Sequence, residues 1–217
     1  MWQEDKSKRI ATRFKVGLVF QYPEYQLFED TVYNDIAFGP KNMGLDADEI
    51  NSRVELAMDF VGLDKKYLSK SPFELSGGQK RRVAIAGVMA LSPKCLILDE
   101  PAAGLDPKGR DEILARIREY HQQTGSTVLL VSHSMEDIAE NANSILVMNN
   151  SKCVMHGTVP EVFERSRELE QMGLDIPQIT KVFISLRDMG YKDSENVYTI
   201  EKAEQEILKC LKGGVSE

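Results

Sequence analysis

Residues 75–79 read Leu-Ser-Gly-Gly-Gln and residues 95–101 read Cys-Leu-Ile-Leu-Asp-Glu-Pro, and these two stretches decide the fold class. The second is a short apolar run typical of a buried strand, and it ends in two adjacent carboxylates, Asp99 and Glu100. The first precedes an almost wholly apolar stretch, which predicts a buried helix that begins at Ser76. Apolar strands that alternate with helices are typical of an α/β fold with a parallel sheet.

Further apolar runs and helical patterns alternate on either side of these stretches. The additional elements are two strands, at residues 15–20 and 127–131, and two helices, at residues 109–123 and 134–141. The strands are apolar throughout rather than at every second position, so we expect helices to cover the sheet on both faces.

Segments outside this alternation predict further helices. Thr31 is placed to cap a helix that is closed by Gly39 and Pro40, and Asp46 or Asp48 starts a second helix. From Thr158 onward the chain is helical and charged, which predicts a small C-terminal appendage.

Composition and charge argue against several classes of protein. The chain has 217 residues and a formal net charge of −7, whereas general nucleic-acid binding requires a basic surface. The longest apolar runs are far shorter than the ~20 residues of a membrane-spanning helix, so we expect any membrane role to come through a partner. The cysteines Cys95, Cys153 and Cys210 show no metal-ligand spacing and suit reduced thiols.

The adjacent carboxylates are the first candidate site. Ligands of an open parallel sheet bind beyond the carboxyl ends of its strands. Asp99 is therefore placed to hold Mg²⁺, and Glu100 is placed to orient or deprotonate the water that attacks a γ-phosphate. A surface acidic pair that simply follows a strand is the alternative interpretation of these two residues.

The residues Ser76, Gly77, Gly78 and Gln79 form the second candidate site, which would bind nucleotide phosphate. Glycine lets the backbone approach a phosphate closely, and the amides at a helix N-terminus favour anions. A capped turn that enters a buried helix is the alternative interpretation. The basic residues at positions 80–82 are expected to form a solvated face.

Three further residues gain their meaning from their order in the chain. Gln21 ends the first strand, where its amide can reach metal and water, and His133 follows the strand at residues 127–131, where its imidazole can contact a γ-phosphate. Asp106 ends a turn. Taken singly, each of the three has an ordinary structural explanation, but their order around the two candidate sites is far more specific than any one of them.

That order resembles the ATPase subunits of ABC transporters, over residues 15–163. The resemblance implies a P-loop NTPase-like (RecA-like) α/β fold with a parallel sheet in a domain at residues 1–163. It further implies a helical subdomain at residues 31–91 and a small helical C-terminal extension at residues 164–217. ATP and Mg²⁺ are the implied ligands.

The resemblance also implies a role for each matching residue. Glu100 would be the catalytic base and His133 the switch histidine. Asp99 would hold Mg²⁺, and Gln21 would sense both the metal and the attacking water. Residues 75–79 would be the signature, which closes on ATP that the opposite subunit holds.

The match narrows to the ATPases of energy-coupling factor importers, which take up vitamins or metal ions. Residues 20–40 carry this resemblance, and residues 100–107 resemble the second of the two ATPase types in that group. The implied partners are a second ATPase, with Asp106 at the dimer interface, and a transmembrane T component that residues 22–39 contact. A substrate-binding membrane component would be reached indirectly, and the chain would act as a peripheral subunit at the cytoplasmic face of the membrane.

The phosphate-binding loop of such ATPases, Gly-x-x-x-x-Gly-Lys-[Ser/Thr], occurs nowhere in the 217 residues. A strand, this loop and its helix need on the order of 25 residues, more than precede Gln21. We therefore expect Met1 to mark a truncated reading frame, a late start codon or a fragment. We also expect the isolated chain to bind ATP poorly and to expose sheet surface.

Two alternatives to a transport ATPase stay open. One is a non-catalytic module that contributes only its signature face to a partner ATPase, and tight ATP binding by the isolated chain would contradict it. The other is a soluble ABC ATPase of DNA repair or translation. Those proteins usually carry long coiled coils or a second cassette, and the sequence shows neither.

Overall fold

A parallel sheet lies at the centre of the first part of the molecule. The computed structural model describes residues 12–190 and 197–213. The strands β1 (Val16–Val19), β2 (Cys95–Asp99) and β3 (Thr127–Val131) lie side by side in that order, and neighbouring strands are parallel. Their carboxyl ends therefore meet at one edge of the sheet, which confirms the predicted α/β arrangement.

Three helices between β1 and β2 in the chain pack against one another. They are α1 (Val32–Asn42), α2 (Ala47–Val61) and α3 (Gly77–Met89). The side chains of Thr31 and Asp46 cap α1 and α2 by accepting hydrogen bonds from the amides of Asn34 and Glu49. These predicted helix starts are therefore confirmed.

Helix α1 continues past the predicted end at Gly39 and Pro40. Pro40 lies inside the helix and is buried, and the amide of Met43 donates to the carbonyl of Gly39. A Cβ atom at Gly39 would lie 2.5 Å from Cδ2 of Leu91, so glycine allows this last turn to pack closely. Proline lacks the amide that would donate the helical hydrogen bond at position 40, yet the helix continues to Asn42, so the predicted end is wrong.

Helix α4 (Pro107–Thr124) connects β2 to β3. Its inner face, which carries Ile113, Leu114, Ile117 and Tyr120, is buried as its helical period predicts. The side chain of Asp106 caps its N-terminus.

One face of the sheet is buried and the other is open to solvent. On the buried face, Val19 of β1 is 1 % exposed and Leu98 of β2 is 0 % exposed. The alternate positions of the outer strands form the open face, where four apolar side chains are 40 % to 46 % exposed: Val16, Leu18, Leu129 and Val131. The expectation of a sheet covered on both faces is thus wrong for residues 12–131, because the helices within that range cover only one face. The expectation of exposed sheet surface is confirmed.

The chain divides into two compact units, Met1–Val131 and Ser132–Glu217. In the second unit, β4 (Ser144–Asn149) and β5 (Lys152–Thr158) form an antiparallel hairpin. Five helices belong to the described part of this unit: α5 (Met135–Asn141), α6 (Val159–Phe163), α7 (Ser166–Gln171), α8 (Gln178–Asp188) and α9 (Ile200–Gly213). The functional boundary predicted at residue 163 stays a prediction.

No helix in the described ranges, residues 12–190 and 197–213, combines the length and the apolar character that crossing a membrane requires.

Candidate functional site

The carboxyl edge of the sheet carries Gln21, Asp99 and Glu100. Asp99 is the last residue of β2 and pairs with Val131 of β3. Gln21 lies two residues beyond Val19, the last residue of β1. Asp99 and Glu100 are half-buried, whereas Gln21 is exposed. The fold therefore gathers one amide and two carboxylates at the edge where parallel sheets bind ligands.

The backbone of Glu100 adopts a left-handed conformation, with φ at 49°. Its amide donates to the carbonyl of Val131 at 2.9 Å, which prolongs the β2–β3 ladder by one residue. Its own carbonyl accepts from the amide of Ala103 at 3.1 Å. A left-handed residue other than glycine costs roughly 1–2 kcal/mol, and such strain is concentrated at functional sites. The turn after β2 thus holds Glu100 in a conformation that the chain does not favour by itself.

The side chains of Ser76 and Gln79 form a capping box at the start of α3. The Oγ atom of Ser76 accepts from the amide of Gln79 at 3.4 Å, and Oε1 of Gln79 accepts from the amide of Ser76 at 3.0 Å. Nε2 of Gln79 also donates to the hydroxyl of Tyr67 at 3.1 Å. These bonds fix the first turn of the helix.

Packing does not explain the two glycines of this turn. Apart from its chain neighbours and the nearby backbone of its own helix, a Cβ atom at Gly77 would meet no described atom within 4 Å, and one at Gly78 would lie 3.9 Å from Leu105. The first amides of a helix have no acceptor within it. The glycines therefore leave the space in front of these amides open to an anion.

A groove of about 470 Å³ opens beside this turn. Its walls are the first turns of α3 and α4, and Ser76, Gly78, Gln79, Gly104, Leu105, Asp106 and Lys108 are among the residues that line it. The carboxylate of Asp106 accepts from the amide of Gly109 at 2.7 Å and so caps α4. Two helix N-termini thus border one groove, which suits an anionic ligand.

Arg81 is buried, so the predicted solvated face at residues 80–82 is wrong at this position. Its side chain forms an ion pair with Glu24, with Nη2 at 2.9 Å from one carboxylate oxygen and Nε at 3.1 Å from the other. Burial raises the pKa of Glu24, but the hydrogen bond from Arg81, a backbone hydrogen bond and the charge of Arg81 together bring this pKa below its ordinary value. Arg81 shares a helical face with Ile85 and Met89, which are also buried, and this period was the available signal.

Arg82 also departs from the predicted solvated face. It donates to the carbonyl of Val61 at 2.8 Å and to the carboxylate of Glu112 at 2.6 Å. The adjacent arginines therefore point to different neighbours, and each fixes α3 to another segment. The sequence around Glu24 contains no pattern that marks its pairing with Arg81.

Residues 22–39 present an ordered surface of exposed aromatic side chains. Tyr25 is 85 % exposed and Phe28 is 58 % exposed. The Phe28 ring contacts the Phe38 ring edge to face, with the ring centroids 4.9 Å apart. The carboxylate of Asp35 accepts from the amides of Phe28 and Glu29 at 3.3 and 3.2 Å. Burial raises the pKa of Asp35, and these two hydrogen bonds partly oppose that effect. Asp35 thus holds the backbone that carries Phe28, although the Phe28 ring itself is exposed.

His133 belongs to the second compact unit, where it is exposed and precedes α5. The neighbouring Ser134 caps this helix by accepting from the amide of Asp137 at 3.2 Å. The role of His133, like those of the other candidate residues, stays a prediction.

The residues at the sheet edge suit a magnesium ion. The carboxylate of Asp99 and the amide oxygen of Gln21 are hard oxygen donors, and Mg²⁺ usually takes one or two such protein ligands together with water and phosphate. Within the described ranges, no three His, Cys, Asp or Glu side chains are grouped to hold a metal ion. Asp99 and Gln21 together match the one or two protein ligands of a Mg²⁺ ion that also binds phosphate.

Comparisons with known proteins agree with this geometry. The ABC transporter family matches residues 2–103. The energy-coupling factor transporter ATP-binding protein EcfA2 of Clostridium tetani is 60% identical over 205 residues, which are 94% of this chain and 71% of that protein. The protein of the same name from Bacillus cereus is 45% identical over 214 residues, 98% of this chain and 73% of that protein.

Solved structures show the same fold. The structure of cbiO1 from Clostridium perfringens, part of the ABC transporter complex cbiONQ, has a TM-score of 0.68 at 37% identity and covers 82% of this chain and 71% of that one. The structure of the bacterial ABC transporter cassette MJ0796 has a TM-score of 0.61 at 24% identity. The match covers 72% of this chain and 68% of that one. The family resemblance of the sequence is confirmed. The chain belongs to the ABC transporter ATPases, in the group of energy-coupling factor transporter ATP-binding proteins.

Proposed function

We propose that this chain is the ATP-binding and ATP-hydrolysing subunit of an importer that takes up a vitamin or a metal ion. The observation that supports this most directly is the open first turn of α3. Gly77 and Gly78 keep its amides accessible beside a groove, although packing does not require glycine at either position. The names of the relatives support an energy-coupling factor transporter.

The carboxyl edge of the sheet would carry the hydrolytic chemistry. Glu100 acts as the base that orients or deprotonates the attacking water, and His133 contacts the γ-phosphate. Asp99 and Gln21 hold Mg²⁺, which neutralises charge on the phosphate oxygens when it is bound. The left-handed backbone of Glu100 supports this assignment, because strain of this kind is concentrated at functional sites.

The signature at residues 75–79 would act on a nucleotide that a second ATPase subunit holds. Ser76 and the amides of Gly77 and Gly78 contact its phosphates, and Gln79 fixes the turn. Asp106, which borders the same groove, lies at the interface of this heterodimer.

Residues 22–39 would contact the transmembrane T component. The rings of Tyr25, Phe28 and Phe38 are exposed, Asp35 holds the backbone at Phe28, and exposed apolar surfaces mark protein interaction sites. The chain then works as a peripheral subunit at the cytoplasmic face of the membrane. It reaches the substrate-binding component only through this partner, and its net charge of −7 argues against a nucleic-acid partner.

The 217 residues by themselves would bind ATP weakly. They contain no Gly-x-x-x-x-Gly-Lys-[Ser/Thr] sequence, whose backbone amides and lysine normally hold the phosphates. The capped, accessible signature favours a second candidate function, in which this chain only completes the ATP site of its partner. The relatives' names give no support to a role in DNA repair or translation.

The decisive experiment adds the chain to a partner ATPase that carries the phosphate-binding loop. We expect ATP hydrolysis by the mixture to exceed that of the partner alone, and calorimetry of the isolated chain to show weak ATP binding. Gly77→Asp should abolish the stimulation, because it places a negative charge where the phosphate binds without a steric clash. Ala47→Asp adds the same charge to the first residue of α2 and serves as the matched control.

Each outcome bears on a different part of the proposal. Stimulation that survives Gly77→Asp contradicts the assignment of the signature. Tight ATP binding by the isolated chain contradicts both the weak-binding proposal and the module that only completes a partner's site.

A further inference from the structure

The guanidinium of Arg81 joins three segments that are far apart in the sequence. It lies one turn into α3 and is 3 % exposed. Two of its nitrogens bind the two carboxylate oxygens of Glu24, at 2.9 and 3.1 Å. Nη1 donates to the carbonyl of Ala103, and the Tyr22 ring centroid lies 5.8 Å from Cζ. The donors of one side chain are thus divided between two separate loops.

Burial gives this arrangement its rigidity. Arginine stays charged inside a protein, and its planar fork matches a carboxylate in only a narrow range of orientations. The side chains of Arg81 and Glu24 are 4 % and 17 % exposed. Moving one segment alone would therefore leave a buried charge without its partner. Such an unpaired charge is strongly destabilising.

Each of the joined segments carries residues of the candidate site. Glu24 lies in the short 3₁₀ helix Pro23–Gln26, which begins two residues after Gln21 and belongs to the aromatic surface at residues 22–39. Ala103 lies in the turn between Glu100 and Asp106. The start of α3 carries the signature. Arg82, the next residue, binds Val61 and Glu112 instead and does not share these contacts.

We propose that Arg81 is a positioning residue that makes these three segments move together. A displacement of residues 22–39 by a bound partner is passed through Glu24 to Arg81, and from there to the signature turn and the Glu100–Asp106 turn. The inference rests on the proposed function, because it takes the T component to be the partner that displaces residues 22–39.

The test removes the link without leaving a buried charge. Replacing a buried ion pair by uncharged residues of similar size is often neutral for stability, whereas removing one partner is strongly destabilising. The double variant Glu24→Gln with Arg81→Met is therefore expected to fold. Glu55→Gln is the matched control. It removes an exposed ion pair in which Nζ of Lys65 lies 2.7 Å from Oε2 of Glu55.

The main measurement is ATP hydrolysis by the chain assembled with its cognate second ATPase, with and without the T component. We expect the ratio of the hydrolysis rates with and without the T component to fall on the order of fivefold or more in the double variant. The control should keep its stimulation. A folded double variant with unchanged stimulation overturns the inference, and so does a proportional loss of both rates together with a lower melting temperature, which indicates a purely structural role.

A second measurement does not depend on hydrolysis. Hydrogen exchange of the 217-residue chain should accelerate in the double variant at the amides of Lys80 and Leu105, which bond within the two linked turns, and not in the Glu55 variant. Unchanged exchange at both amides overturns the inference. A wild-type assembly whose hydrolysis does not respond to the T component contradicts the proposed function instead, so the two failures are distinguishable.

Discussion

At the scale of single residues, substitutions of Glu100 are expected to change folding stability and ATP hydrolysis in different directions. Its φ of 49° is unfavourable for any residue other than glycine. We expect Glu100→Gly to stabilise the fold by about 1 kcal/mol and to abolish hydrolysis by the assembled complex. Glu100→Gln should leave the melting temperature nearly unchanged and lower the hydrolysis rate at least about a hundredfold.

Ser92 provides the matched control for this prediction. Its φ is 50°, so Ser92→Gly should give a similar stabilisation in thermal denaturation, with no loss of hydrolysis. If a complex with Glu100→Gln hydrolysed ATP at the wild-type rate, Glu100 would not be the base, and this chain would only complete the ATP site of its partner.

The ion pair of Glu24 predicts a dependence of stability on pH. Burial raises the pKa of this carboxyl, but the hydrogen bond from Arg81, a backbone hydrogen bond and the charge of Arg81 together place the folded-state pKa below the ordinary value of 4.5. A carboxyl with a depressed pKa contributes stability above its unfolded-state pKa, and this contribution is lost as the pH falls through the folded-state pKa. In urea denaturation, Glu24→Gln should therefore cost most stability at neutral pH and progressively less below pH 4.5. A cost that is constant across this range would show that the charge of Glu24 is not what stabilises the fold.

At the scale of secondary-structure elements, the capping box of α3 has both a structural and a proposed functional role. Ser76→Ala removes the cap and should cost about 1 kcal/mol of folding stability. Ser76→Asp keeps a capping acceptor, so the melting temperature should be nearly wild-type. Its negative charge would oppose a phosphate, so hydrolysis by the assembled complex should fall.

Helix α6 carries an equivalent capping box at Thr158 and Glu161, which separates the two roles. Thr158→Ala and Thr158→Asp should reproduce the stability pattern while hydrolysis stays unchanged. Equal loss of hydrolysis at Thr158 and Ser76 would indicate that the effect comes from helix stability and not from the nucleotide.

The elements show which features a sequence determines locally. Thr31 and Asp46 mark helix starts because a cap and the first apolar positions lie within one turn of each other, and Ser76 marks one because Gln79 completes a capping box with it. The end of α1 could not be predicted in the same way, because it depends on the close approach of Gly39 to Leu91. The candidate residues at the sheet edge were predictable from strand ends, since a parallel sheet aligns those ends by itself.

The role of Arg81 depends on partners that are distant in the sequence. Its helical period with Ile85 indicates burial, but the sequence does not show that Glu24 and Ala103 supply the acceptors. A run of three basic residues therefore suggested a solvated face. Long-range pairing of this kind is visible only once the fold has brought the loops together.

At the scale of the whole molecule, the open face of the sheet is expected to control solubility. Val16 and Val19 lie in the same strand but are 41 % and 1 % exposed. The residue type could not distinguish these two positions, because both are valine. They differ only in whether other parts of the fold cover the side chain. Large exposed apolar patches promote association, so we expect the isolated chain to aggregate readily.

The same substitution at these two valines tests this expectation. Threonine keeps the β-branched shape that strands favour but adds a hydroxyl. Val16→Thr should change stability by no more than about 0.5 kcal/mol and raise the concentration at which light scattering begins. Val19→Thr buries an extra hydroxyl and should lower stability by about 1–3 kcal/mol without improving solubility. If Val16→Thr destabilised the chain as much as Val19→Thr, the outer face would have to be covered in solution, and the aggregation of the isolated chain would need another cause.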